Sequence, residues 1–169
     1  MLKINQSKSI YNIENKVFLD LYNENLNQIF DEYEIYDFFD FICNSNYFKK
    51  SGGTKGELTM IISYDRRRTI CKYYPNIKHI SLVPWGANPI TVCHEIAHYL
   101  CDKVALDLPD HGATFTTIFI NLCFIASPVL GYKIMKSCND NCVIYFKENI
   151  EVPNIHTMTG GFYHDRMCA

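Results

Sequence analysis

The chain has 169 residues, 48% hydrophobic and 14% aromatic, enough for one domain over 1-169 to bury a substantial core without disulfides. Its 16 Lys and Arg against 18 Asp and Glu leave a formal charge of -2, which excludes a global positive field for holding nucleic acid or an anionic membrane. The opening Met1-Leu-Lys-Ile-Asn-Gln-Ser-Lys8 lacks the apolar run of a signal peptide, so a cytoplasmic location is expected.

Two N-terminal helices are expected first. Ile13, Val17, Leu21, Leu26 and Phe30 recur at near-helical intervals from Ser9 to Phe30, and Tyr36, Phe39, Ile42 and Cys43 do so from Ile35 to Phe48. Glycines 52, 53 and 56 break that pattern. Leu58-Thr-Met-Ile-Ile-Ser-Tyr64 and His79-Ile-Ser-Leu-Val83 then read as short strands, rich in β-formers. A lone histidine such as His79, opening a strand, reads as a hydrogen-bonded structural residue.

Between the strands, Asp65-Arg-Arg-Arg-Thr-Ile-Cys-Lys-Tyr-Tyr-Pro75 gathers Arg66, Arg67 and Arg68 beside aromatics, a combination able to contact phosphates and stack on bases. The plainer reading is a solvated turn or edge strand. It is favoured here, because the remaining chain adds too little positive charge to build a nucleic-acid groove.

Pro84-Trp85-Gly86-Ala87-Asn88-Pro89 leads into the most informative segment, Thr91-Val-Cys-His-Glu-Ile-Ala-His-Tyr-Leu100. A proline in the first helical turn costs little, since its missing N–H is unsatisfied there anyway. Ile90, Cys93, Ala97, Leu100, Cys101 and Val104 give the helix a buried side, and Asp107-Leu-Pro-Asp110 should end it near Leu106. Four residues apart on a helix, His94 and His98 share one face and can bind one metal ion. Glu95, one position round, is placed to take a proton from metal-activated water without being a ligand. His-Glu-x-x-His also arises by chance in unrelated helices. Here, however, His111 follows beyond a helix break and completes the three nitrogens of a catalytic zinc site.

Phe115-Thr-Thr-Ile-Phe-Ile-Asn-Leu-Cys-Phe-Ile-Ala126 is the longest apolar run. It ends at Pro128 and falls short of the roughly 18–20 residues that span a bilayer, so it reads as a core helix behind the metal helix that holds His111 in place. No membrane association is expected. The eight cysteines, at 43, 71, 93, 101, 123, 138, 142 and 168, lie mostly alone in apolar segments and read as buried thiols. Cys138 and Cys142 form the one tight pair, and a second metal there would need two more ligands, such as His164 and Cys168. His156 and His164 fall in a C-terminal segment that reads as a surface tail; His164, with Tyr163 and Arg166, is the alternative candidate for stabilising an oxyanion.

His94-Glu-Ile-Ala-His98, the thirteen-residue step to His111-Gly112, and Phe115 together resemble the SprT-like zinc metalloproteases, in which such a helix is followed at similar spacing by His-Gly-x-x-Phe or Trp. The chain also resembles metallohydrolases found in phages and actinobacteria. That resemblance rests on Val83-Pro84-Trp85, the same histidines and Leu130-Gly131-Tyr132, and covers roughly residues 58 to 146. It implies an α+β, zincin-like metallopeptidase domain, with the metal helix packed against a small sheet whose edge strand holds an extended substrate.

The metal core would occupy about 58-146, followed by a tail over 147-169. The resemblance further implies one catalytic Zn²⁺ on His94, His98 and His111, Glu95 as catalytic glutamate, and a protein or peptide substrate. A phage-encoded enzyme would act in the host cytoplasm. SprT-like proteases commonly add a four-cysteine zinc ribbon and basic DNA-binding segments. Only Cys138 and Cys142 could begin such a ribbon, and Arg66, Arg67 and Arg68 are the one basic cluster, so a protease acting on DNA-bound proteins stands as an alternative rather than the main expectation.

Two other readings remain at the level of sequence. One is a catalytically silent zincin-fold binding protein, for instance one that captures a host factor, against which the intact Glu95 argues. The other is a structural zinc closed by a fourth ligand from among Cys93, Cys101, Asp107 and Asp110.

Overall fold

Helix α1, Ser7–Asn23, begins two residues earlier than the periodicity suggests, and Phe30 lies outside it. Phe30 instead lies in non-helical chain, and its N–H donates to the Ala87 carbonyl at 2.9 Å. The computed structural model describes residues 4–23, 30–104 and 110–153. Leu26, Leu106, Asp107 and the expected oxyanion and ribbon residues His156, Tyr163, His164, Arg166 and Cys168 lie outside them.

Helix α2, Glu32–Asn44, starts from a capping box in which Asp31 and Glu34 each satisfy the other's backbone N–H. The single helix expected up to Phe48 is broken at Ser45. That residue is extended, and its hydroxyl accepts the N–H of Phe48 to cap a separate short helix α3, Asn46–Lys50. A serine forms such a local side-chain bond more readily than it continues a helix.

Three strands follow: β1, Thr59–Ile62; β2, Lys72–Tyr74; and β3, His79–Leu82. The sheet order is β1-β3-β2, with β1 parallel and β2 antiparallel to β3. The expected strands at 58–64 and 79–83 are present, shorter at their ends. The arginine segment holds the turn and edge strand of its plainer reading, for β2 forms a margin of the sheet. A tight connection through Lys78, at φ 49°, returns β2 into β3. His79 is hydrogen-bonded, its Nδ1 lying 2.9 Å from the Thr59 hydroxyl.

Helix α4, Pro89–Val104, carries the motif. Asn88 caps it, its Oδ1 accepting the N–H of Thr91 at 3.0 Å, and Pro89 occupies the first turn. Ile90, Cys93, Ala97 and Leu100 are buried as expected, but Cys101 is half-buried and Val104 is exposed, because the last turn leaves the core. Helix α5, Ala113–Ala126, packs along α4, and helix α6, Pro128–Asp140, packs along α5. Helix α5 is apolar nearly all round because it is enclosed by other elements, as a helix without a polar face must be.

The result is an α+β architecture with six α-helices and a three-stranded mixed sheet among the described residues. One apolar cluster runs through all the helices and the sheet. The sheet meets the motif helix at β2, which packs against α4. No helix among the described residues is long and apolar enough to cross a membrane.

Candidate metal centre

The three histidines singled out by spacing converge in space. His94 Nε2 lies 3.1 Å from His98 Nε2 and 3.2 Å from His111 Nε2. The α4 helix sets the first pair one turn apart, while the turn before α5 brings in the third. Phe115, two residues into the first turn of α5, packs under all three rings with centroids 5.0, 4.7 and 4.6 Å from His94, His98 and His111. The expectation that α5 supports His111 therefore has a physical basis in Phe115.

Burial sets the charge state of the cluster. Burial, then the neighbouring His94 and His111, push the His98 imidazole down to about 2. Burial and then His94 push His111 down to about 4. Both rings are thus neutral near pH 7, with lone pairs free to bind a cation. Burial also acts downward on His94, but the charge and hydrogen bond of the Glu14 carboxylate outweigh it and raise that ring above its usual range.

Glu14 was not among the sequence candidates. Its Oε1 meets His94 Nδ1 in a short hydrogen bond, which fixes the ring proton on Nδ1 and turns the Nε2 lone pair toward the cluster. Ser7 Oγ lies 3.0 Å from His111 Nδ1. The Tyr11 ring stacks on His94, centroids 5.3 Å apart, and tilts against His111 at 5.2 Å. Ser7, Tyr11 and Glu14 fall at helical spacing on one face of α1. That polar-aromatic face beside the apolar Ile10, Ile13 and Val17 was the sequence signal, and it carries no motif.

The donor set fits a metal ion. Three Nε2 lone pairs directed at one point repel unless a proton or cation lies between them, and three imidazoles suit a borderline divalent ion. His94, His98 and His111 form a potential ligand group with donor atoms within 4.8 Å of one another, and no thiol or carboxylate joins it among the described residues. Of the candidates for a fourth ligand, Cys93, Cys101 and Asp110 do not join that group, and Asp107 lies outside the described residues.

Glu95 is buried beside the cluster, only 6% exposed. Its Oε2 accepts the backbone N–H of Tyr73 in β2 at 2.7 Å. Burial raises its carboxyl above the usual range, against the opposing pull of His94 and the Tyr73 N–H. A carboxylate so placed can accept and return a proton.

The remaining expectations resolve separately. Arg67 pairs with Asp65 at 2.9 Å and Arg68 donates to the Ser81 hydroxyl at 2.8 Å, so two of the three arginines are engaged within the protein. Arg66 is exposed. Cys138 is buried and Cys142 exposed, and neither joins a potential ligand group among the described residues.

No protein-family model, curated protein or solved structure matches the chain. Fold and site together define the class: an α+β protein with a buried three-histidine cluster able to hold a metal ion.

Proposed function

We propose that the chain is a zinc-dependent metallopeptidase of zincin-like architecture. The observation that carries this reading is the convergence of three histidine Nε2 atoms, with His94 3.1 and 3.2 Å from the other two, next to a buried glutamate on the helix that carries His94 and His98. His94, His98 and His111 would hold the ion, which when bound would supply Lewis acidity to acidify water and polarise a carbonyl.

The chain's own residues do the rest. Glu95 takes a proton from the attacking water and passes it to the departing amine. The Tyr73 N–H holds one Glu95 oxygen in place, and a carboxylate that accepts one such bond retains accepting capacity for the proton. Neutral His98 and His111 would have lone pairs available for the ion rather than committed to protons. Strand β2 lies at the sheet margin against α4, where the Tyr73 N–H is already given to Glu95.

Peptide hydrolysis is favoured over silent binding because a glutamate on the ligand helix is buried at an energetic cost that a mere binding surface does not require. The test is incubation of wild type and Glu95→Gln with a cell proteome, followed by mapping of new N-termini. Termini made by wild type alone, and lost when a chelator is added, are expected; equal cleavage by Glu95→Gln contradicts the proposal.

A further inference from the structure

Given a divalent ion on the three histidines, as in the proposed function, we propose that helix α1 is the positioning element of the site. Glu14 and Ser7 orient His94 and His111 for the metal. Two of the three rings have their outer nitrogens engaged by this one helix: His94 Nδ1 by Glu14, and His111 Nδ1 by Ser7 Oγ at 3.0 Å. Both contacts span long stretches of sequence, 80 and 104 residues, so they are made by tertiary packing.

The helix is held in register by Gln6, the residue just before its first turn. The Gln6 N–H donates to the His111 carbonyl at 3.2 Å. The Gln6 side chain pairs with the backbone of Ile144, donating at 3.0 Å and accepting at 2.7 Å. Tyr11, between Ser7 and Glu14 on the same face, lies against both rings. Meanwhile Ile10, Ile13 and Val17 anchor α1 in the apolar core, independently of the polar contacts.

An imidazole free to rotate, or with its proton on the wrong nitrogen, presents no lone pair to the ion. A carboxylate on Nδ1 removes both failures and makes Nε2 a stronger donor, an effect typically worth about 10–100-fold in metal affinity. A purely structural ion pair between Glu14 and His94 would stabilise the apoprotein and leave metal affinity unchanged. The two roles therefore separate by measurement.

The experiment uses the full chain, stripped of metal, as wild type, Glu14→Gln, Glu14→Ala and Ser7→Ala. Zn²⁺ affinity is measured by competition with a chromophoric chelator, and Co²⁺ visible spectra report ligand geometry. Wild type should bind one equivalent. Glu14→Gln keeps an oxygen for Nδ1–H but loses the charge, so it should bind less tightly, and Glu14→Ala least tightly, about 10–100-fold weaker with an altered Co²⁺ spectrum.

Ser7→Ala should show a smaller loss. If Glu14→Ala fails to fold, Glu14→Gln decides. Wild-type affinity and spectrum in a folded Glu14→Gln protein overturn the positioning role while leaving the metal site standing. Failure of wild type itself to bind Zn²⁺ or Co²⁺ overturns the metal reading and the positioning role together.

Discussion

The Glu95 carboxylate accepts the Tyr73 backbone N–H at 2.7 Å, joining the motif helix to the sheet margin through the residue proposed as base. Glu95→Gln keeps an oxygen able to accept that bond, so fold and metal binding should be retained while turnover is lost. Glu95→Ala leaves a buried N–H without its acceptor, which costs about 1–3 kcal/mol. Urea unfolding of the two variants, with zinc analysis, checks both statements; an active Glu95→Gln protein would sink the assignment.

Acid should destabilise the metal-free protein. In the unfolded chain a histidine titrates near 6.5, whereas in the folded chain His111 titrates at about 4 and His98 at about 2. Between those values the unfolded state binds more protons, so stability falls as pH drops below about 6.5, by up to about 1.4 kcal/mol per pH unit for each such histidine. His94, raised by Glu14, has the opposite sign: its contribution is present below about 6.5 and fades as pH rises through its folded value. Urea midpoints of apoprotein between pH 7 and pH 4 should therefore decline. A flat or rising series contradicts the neutral, buried state of His98 and His111.

Phe115 carries the cluster from beneath, fully buried against all three rings. Phe115→Ala opens a cavity there and should cost about 3–5 kcal/mol. Zinc affinity should fall as well, since the rings lose the wall that fixes their tilt. Thermal unfolding with and without zinc reads both effects, and unchanged zinc affinity in a folded variant would restrict Phe115 to the core.

Gly131 allows α6 to lie close on α5. A Cβ at that position would sit 2.4 Å from Phe124 Cδ1 and Cγ and 2.8 Å from its backbone Cα. Because backbone is involved, the clash cannot be relieved by a rotamer change alone. Gly131→Ala should lower stability by about 1–3 kcal/mol, despite alanine's helix-propensity advantage of roughly 1 kcal/mol. Stability equal to or above wild type would show that the two helices can separate without loss.

What was legible in the sequence follows from how local each relationship is. His94, Glu95 and His98 lie within one turn and a half of helix, and His111 stands just before an obvious apolar run. The His-Glu-x-x-His pattern on a helical stretch and the thirteen-residue step to His111 make these legible. Ser45 shows the limit for boundaries: its hydroxyl caps α3, so a pattern that reads as one helix is two. Strand β2 has only three residues, too few for alternation to fix its bounds, so the sequence offers only a turn or edge strand somewhere in 65–75.

Glu14 was illegible for a different reason. Its partner is 80 residues away, and on α1 it reads as an ordinary solvated acid. Only the docking of α1, which packs along α6, turns Ser7, Tyr11 and Glu14 toward the histidines.

The central claim, a divalent ion on three imidazoles, is tested most directly by X-ray absorption at the zinc edge of the loaded protein. Three imidazole nitrogens at about 2.0–2.1 Å and no sulfur are expected. A sulfur scatterer near about 2.3 Å, or fewer than three imidazoles, would contradict the site built by His94, His98 and His111.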